Sequence, residues 1–539
     1  MRQTTSSIAL EVKPDSEALL LSLIARLDRP DAATQPAMTK TDLLARMPSL
    51  HFFSLTVFPR GVFDPLFVIE ANFDGPAGPF WPQLEAALGP QLRPMIACCK
   101  RPADGCGPLY DAVTAPGSRR DLAPYLQTRA GKPSVYHHGN RGMSRQRVVN
   151  EAALFSAVEA ELDAAGQVAQ TWRILPPADI HARLREKLLP QFAWLAQPAP
   201  ARKTLGEKLG DWVRLAVLVL AVLVVLTLPG QIAAGLVETD RLVIAFVLLT
   251  AIVWGSLLRI AGPLEGTATH GRTNLLNFAW RQIFKILIAL AVFFAVAMLV
   301  VTPTTVAISH LSWREAVIPS ARALGWGIAA MVVIVLPALV LWLRWLERRD
   351  STQDAPTIDE AVMRLMRERE DHTPINHMAA MIPLKPGILR TVLVHVGHRG
   401  LHLALRVFIK DGYLASMRTI HFAHWAFVNN GARMMFLSNY DLSWETYFDD
   451  FIEKAHEGLT LAFGSGEGFP PTRLLIQDGA SHGTLFKAWA RHSMTVSRYW
   501  LAAYTDITSD QIERNFRIAA GLRQPTLTPE SAAQWIVDL

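Results

Sequence analysis

Two short runs set an asparagine, an aromatic residue and an aspartate in line: Asn72-Phe73-Asp74 and Asn439-Tyr440-Asp441. Each ends an apolar, β-rich stretch and precedes a helical pattern. An aspartate at such a turn can act as a general acid or base. It can equally cap a helix through its carboxylate, which needs only local geometry. Upstream of each run stands the same dipeptide, His51-Phe52 and His421-Phe422. Histidine there offers a base, a metal ligand or a core hydrogen bond. Asp74, Asp441, His51 and His421 are therefore the candidate catalytic residues, and Asn72 and Asn439 candidate ligand contacts. A structural role stands beside the functional one for all six.

A third pattern lies between Ile388 and Lys410. His395, Arg399, His402, Arg406 and Lys410 recur at steps of four, three, four and four. That spacing puts them along one helix face, with Leu389, Val392, Leu393, Val396 and Leu403 supplying apolar surface. Such a helix suits a membrane interface, its basic stripe toward anionic headgroups. The same stripe can grip an acyl-chain carboxylate or the propionates of haem. His398 and His402 are one turn apart, but no acidic or cysteine partner lies near, so no metal site is expected. No P-loop, dinucleotide fingerprint, G-x-S-x-G elbow or H-E-x-x-H helix occurs.

The elements that must position these residues read as a duplicated unit. Beyond the two matched motifs, Ser144-Arg145-Gln146 matches Ser509-Asp510-Gln511, each followed by a helix carrying Asn150 or Asn515. Phe80 to Leu88 and Tyr447 to Ala455 read as amphipathic helices. MIACCK and LTLAFG read as the next strands, Asp121 to Thr128 and Thr484 to Arg491 as second helices, and SVYHHGN and SRYWLAAYT as last strands. The expected order in each copy is β-β-α-β-α-β, an α+β sandwich of ferredoxin-like or αβ-barrel kind. The two copies are expected to pair with each other.

Between them lies a membrane region. Leu215 to Gly235, Leu242 to Leu258, Ile283 to Val301 and Trp326 to Leu343 each approach the roughly 20 apolar residues that cross a bilayer. Trp254, Trp280, Trp326, Trp342 and Trp345 stand near the span ends as interfacial anchors. Arg202, Lys203, Lys208 and Arg214 precede the first span, and Arg344, Arg348 and Arg349 follow the last, so both termini are expected in the cytoplasm. The spans hold almost nothing ionisable, which favours an anchor over an ion-coupled transporter. The implied organisation is an N-terminal helical segment (1–47), a first repeat (48–165), a linker (166–213), the four-helix α-bundle (214–345), a charged connector (346–387), an interfacial helix (388–412), a second repeat (413–525) and a tail (526–539).

Composition agrees with a membrane centre between soluble ends. Of 539 residues 50% are hydrophobic and only 19% charged. The net charge of +6 is spread without a Lys/Arg tract, which argues against a nucleic-acid binder. Cys98, Cys99 and Cys106 form no C-x-x-C pair and are expected as reduced thiols. The N-terminus shows no signal-peptide pattern.

The stretches LKPGILRTVLVHVGHRGLHLALRVF, TIHFAHWAFV, FLSNYDLSWETYFDDFI, GLTLAFGSGEGFPPTR and ITSDQIERNFRIAAGL resemble a group of poorly characterised bacterial membrane proteins. The likeness covers about Ile382 to Leu522 and, more weakly, Leu50 to Leu154. It implies no particular reaction. A looser likeness is to the dye-decolourising peroxidases, which duplicate an α+β unit and carry a Gly-x-x-Asp-Gly motif. Here Ala71 holds the first glycine position before Asp74-Gly75, and Leu442 the last position after Asp441. That likeness implies a haem-dependent oxidoreductase acting on a hydrophobic substrate. The preferred expectation is a bacterial inner-membrane protein whose paired cytoplasmic domains hold a lipid, a hydrophobic ligand or a protein partner at the membrane surface. An oxidoreductase and a transporter are the alternatives.

Overall fold

The computed structural model describes residues 2–28, 39–164, 172, 174–262, 280–350, 358–409 and 417–539. β1 (Gln3–Glu11) leads into α1 (Glu17–Asp28), then β2 (Leu50–Phe58), β3 (Leu66–Asp74) and the long α2 (Ala77–Ala97). Two short strands, β4 (Ala130–Gly131) and β5 (Val135–His138), precede α3 (Arg145–Asp163) and α4 (Pro177–Leu188). Four apolar helices follow: α5 (Leu205–Leu236), α6 (Thr239–Ile260), α7 (Ile283–Ser309) and α8 (Trp313–Glu347), all long and apolar enough to cross a membrane. Then come β6 (Ile375–Pro383), α9 (Ile388–Phe408), β7 (Ile420–Val428), β8 (Arg433–Asp441) and α10 (Trp444–Phe463). A small ribbon of β9 (Thr472–Arg473) and β10 (Gln477–Asp478) leads to α11 (Gly483–Ser493), β11 (Met494–Thr495), β12 (Ser497–Ala502), α12 (Ser509–Arg523) and α13 (Pro529–Trp535).

The strands form two antiparallel five-stranded sheets, ordered β12-β2-β3-β1-β4 and β11-β6-β8-β7-β5. Each sheet is completed from the other side of the membrane region in sequence. β12 pairs with β2, Trp500 opposite Ser54, and β5 pairs with β7, His137 opposite Ala423. The switch happens between neighbouring short strands: β11 ends at Thr495 in one sheet and β12 begins at Ser497 in the other.

This partition departs from the sequence expectation in three places. β1 and β6 fall where a helical segment and a charged connector were expected. β1 opens with Gln3-Thr4-Thr5-Ser6-Ser7, whose polar face hid the strand from a hydrophobic reading, although all five lie buried or half-buried. MIACCK and LTLAFG are helix ends, not strands. Pro82, Pro90 and Pro94 lie inside α2 and argue for an earlier stop, yet Leu88, Leu92, Met95 and Ile96 keep a helical burial period. The order on each side is therefore β-α-β-β-α-β. The supposed linker also carries structure: Ile180, Leu184 and Leu188 of α4 pack with Leu154, Ile518, Leu522 and Trp535.

Strand alternation divides the side chains. Phe53, Leu55, Phe67 and Ile69 face helices such as α2, with Trp81 and Leu84. The opposite faces of the two sheets meet in a shared interior with three zones. One end is apolar, with Phe58, Leu66 and Val68 against Met381, Ala426 and Met435. The other is aromatic, with Phe52, Phe422 and Tyr504. Buried polar groups fill the middle.

In the bundle, α5 crosses α8 where Gly230 meets Gly327. A Cβ on Gly230 would lie 2.6 Å from the Trp326 carbonyl oxygen. Small residues there let the two backbones approach closely. Both ends of the hydrophobic region are fastened to the α+β body. Arg344, fully buried, pairs with Glu347 at 2.9 Å and donates to the carbonyls of Thr472 (3.1 Å) and Ile260 (3.0 Å). Glu347 in turn accepts from the amides of Leu474 (3.1 Å) and Leu475 (3.0 Å). At the other end Asp211 of α5, 2% exposed, accepts from Arg141 (3.0 Å) and Arg406 (2.9 Å).

Candidate functional site

The paired His and Asp residues meet. In β2 the register passes from Leu50–Phe73 to Phe52–Asn72, and in β7 from Ile420–Tyr440 to Phe422–Asn439. His51 and His421 are thus the extra residues of two bulges, which re-aim a side chain. His51 Nε2 comes to 3.2 Å from Asp74 Oδ1, and His421 Nε2 to 2.7 Å from Asp441 Oδ1. Each aspartate caps a helix, but not the one that follows it. Asp74 Oδ2 accepts from the Arg145 amide (2.8 Å) at the start of α3, and Asp441 Oδ2 from the Ser509 amide (2.7 Å) at the start of α12. A carboxylate there meets the positive end of the helix dipole. Tyr504, which the sequence did not single out, joins the two halves. Its hydroxyl lies 2.9 Å from His51 Nδ1, and its ring packs on Phe52 and His421. His51, His421 and Asp441 are at most 2% exposed. The cluster locks two helix starts to two sheets and lines none of the cavities below.

Asn72 and Asn439 belong to the polar middle of the interior. Asn72 donates to Glu70 Oε1 (2.9 Å) and accepts from Thr5 (2.8 Å), while Asn439 accepts from Trp500 (2.9 Å). Glu70 is the hub. It accepts from Ser54 (2.9 Å) and His377 (2.9 Å), with His424 Nδ1 at 3.7 Å. Burial pushes its carboxyl up, but the His377 hydrogen bond, the charges of His377 and His424, and the Asn72 amide outweigh that and bring it down to about 2. His377 Nδ1 continues to Ser497 Oγ (2.9 Å), which also bonds Thr56 (2.7 Å). The hydroxyl–imidazole–carboxylate chain has the connectivity of a proton relay. The serine hydroxyl is held on both sides and the chain ties β6, β12 and β3 together, while His377 and Ser497 also line a cavity of about 250 Å³. The period-two polar pattern Ser54/Thr56 and Glu70/Asn72 was the signal for this layer.

The helix expected at 388–412 forms as α9, but its basic stripe does not face one way. His395 is exposed, stacks on Phe427 (4.3 Å between centroids) and donates to the Thr391 carbonyl. Arg399 is exposed. Lys410 lies outside the described residues. His398 is buried, with its nitrogens on Ser134 (3.0 Å) and the Ala462 carbonyl (3.1 Å), and burial lowers it to about 4. His402 and Arg406 turn inward, toward the start of α5.

There they line a chamber of about 450 Å³ at the start of α5. Its walls come from the N-terminus (Arg2, Gln3), the end of β5 and the loop beyond (Tyr136, His138, Arg141), the approach to α5 (Arg202, Thr204, Gly206, Glu207, Gly210, Asp211, Arg214) and α9 (His402, Arg406). Five arginines face Glu207 and Asp211, with Glu513 behind Arg202, a formal excess of two positive charges. Arg202 is held by Glu513 in a two-pronged pair at 2.7 Å. Arg406 donates to Asp211 and to the Tyr136 hydroxyl. Among the described residues the Arg2 side chain makes no hydrogen bond or ion pair, and Arg214, 64% exposed, only approaches Asp211 at 3.6 Å. Gly142, at φ +80°, lets the loop pass residue 202, whose carbonyl oxygen would lie 2.3 Å from an added Cβ. Burial and then the Arg406 charge lower His402 to about 4, and burial lowers His138 well below its ordinary value. Both are neutral near pH 7. A pocket with more guanidinium than carboxylate groups and with neutral imidazoles has the chemistry to hold an anion. The spacing of His402 and Arg406 was legible, whereas the other walls come from β1, β5 with the loop after it, and the start of α5, hundreds of residues away.

Haem fits the described residues poorly. His398 has both nitrogens engaged, and His402 sits in the polar chamber rather than against apolar surface. The apolar pocket under α9 carries only His456, whose Nδ1 is tied to the Ile452 carbonyl (3.1 Å). No protein-family model, curated protein or solved structure matches the chain.

Proposed function

We propose that the chain is a bacterial inner-membrane protein that binds an anionic, lipid-like ligand at the cytoplasmic surface of the bilayer. The cationic chamber at the foot of α5 carries this reading. It sits immediately before the residues that enter the membrane, where anionic headgroups concentrate. The charge pattern around the spans supports cytoplasmic termini, and the tight Gly230–Gly327 crossing supports an anchoring bundle.

In the same reading the α+β body is a duplicated ferredoxin-like unit closed on itself. The order β-α-β-β-α-β and the matched details on both sides support descent from one unit. A bulged histidine, a helix-capping aspartate and a left-handed residue next to it recur as His51, Asp74, Gly75 and as His421, Asp441, Leu442. The exchanged strands β5 and β12 tie the two sheets together, which supports reading the body as one platform for the helices.

Thermal unfolding of the full chain in phosphatidylcholine nanodiscs, titrated with phosphate, tests the reading. Ligand that binds only the folded state raises the melting temperature with concentration. The Arg2→Glu/Arg214→Glu variant reverses two chamber charges, Arg2 without an ion-pair partner among the described residues and Arg214 only 3.6 Å from Asp211, and it should abolish the rise. Equal stabilisation of both proteins would refute anion binding at the chamber.

A further inference from the structure

Beside the chamber lies a second cavity of different character. It holds about 280 Å³ between α9, α10 and the second sheet, and Leu401, Leu405, Trp425, Phe451, Leu459 and Ala462 form its apolar walls. α10 leaves helical geometry at Ala455 (φ −144°, ψ 18°), on the rim. Gly458, also on the rim, faces open space: an added Cβ there would meet nothing within 4 Å.

The two cavities lie on either side of the last turns of α9, with a small gap between them. A gap of about 20 Å³ shares Leu405 and Ile409 with the apolar pocket, and Tyr136, His138, Arg141 and Arg406 with the cationic chamber. Successive residues of one helix thus divide the space: Arg406 points to the charged side and Leu405 to the apolar side. The end of α9 also lies against the foot of the first span, with Phe408 packed edge-on against Trp212 at 5.4 Å between centroids. The gap therefore lies next to the bilayer surface.

We infer that the ligand is a single-chain amphiphile, its anionic head in the Arg2/Arg141/Arg406 chamber and its one hydrocarbon chain drawn out of the bilayer into the pocket between α9 and α10. This rests on the anion-binding reading above. Each cavity is close to the size of ordinary small-molecule sites, and the narrow gap admits one chain, by rotamer changes at Leu405 and Ile409, which are fast on the timescale of binding. A two-chain lipid held in the membrane would use the chamber alone.

The experiment measures binding of inorganic phosphate and of butyl, octyl and dodecyl phosphate to the full chain in phosphatidylcholine nanodiscs, with empty nanodiscs as the partition control. Chain burial in the pocket predicts affinity rising by up to about fourfold per methylene until the pocket is full. Leu401→Asp puts a carboxylate on the half-buried apolar wall of the pocket, away from the chamber and the gap. It should remove the chain-length gain and leave phosphate binding intact. If affinity beyond the nanodisc control does not depend on chain length, or the gain survives Leu401→Asp, the chain does not enter the pocket and this inference falls while the anion site stands. If neither phosphate nor any alkyl phosphate binds, both fall.

Discussion

Replacing Glu70 by Gln tests whether the polar middle of the interior holds the two sheets together. Glu70 belongs to β3, whereas His377 and His424 belong to β6 and β7 of the other sheet. Glutamine keeps the size but loses the charge, and its amide nitrogen would face the donors His377 or Asn72. The depression of the Glu70 carboxyl from 4.5 to about 2 measures how strongly the folded state favours the ion. At 1.36 kcal/mol per unit, that is about 3 kcal/mol in favour of the folded wild type near neutral pH. Because the folded value is the lower one, this stability is fully present above pH 4.5 and is lost as the pH falls toward 2. Melting of the full chain in mild detergent, followed by circular dichroism, should therefore drop on the order of 5–10 °C for Glu70→Gln at pH 7. The difference from wild type should shrink below pH 4.5. A variant as stable as wild type at pH 7, or a difference unchanged down to pH 3, would show that the network contributes no net ionic coupling between the sheets.

Three further outcomes follow from the same geometry. Arg344→Ala leaves Glu347 buried without its partner and should destabilise the chain by about 3–5 kcal/mol, with melting in detergent as the readout, whereas Arg348→Ala nearby should change little. Leu442 is 47% exposed and holds φ +69°, a conformation that strains a side chain by roughly 1–2 kcal/mol, so Leu442→Gly should stabilise by about 1 kcal/mol in denaturant unfolding. His398 and His402, each lowered from 6.5 to about 4 by burial, take up protons first in the unfolded chain. Stability should therefore fall as the pH drops from 6.5 toward 4, by up to about 3 kcal/mol per histidine, and His398→Gln should flatten part of that slope.

The four long apolar helices and the His–Asp motifs were legible because their signals are local: long apolar runs, and a dipeptide and tripeptide repeated in order. What escaped was whatever depends on partners far along the chain. β1 was hidden by its polar interior face, and α2 by prolines that a packed helix absorbs. The strand exchange left no local trace, since β5 and β12 read as ordinary strands whichever sheet they join. Capping was one of the two readings offered for the aspartates, but the helices they cap start 71 and 68 residues further along the chain. The chamber was the hardest to see. Arg406 stood out in the α9 pattern and Arg202 among the charges before α5, but Arg2 and Arg141 are unremarkable singly, and only the fold gathers the four around the start of α5.

The central claim is that this gathering binds an anionic amphiphile. Native mass spectrometry of the full chain as purified in mild detergent tests it most directly. The account predicts a retained anionic, lipid-like mass that disappears in Arg2→Glu/Arg214→Glu. Protein that carries no such species, or that carries it equally well in the variant, would contradict it.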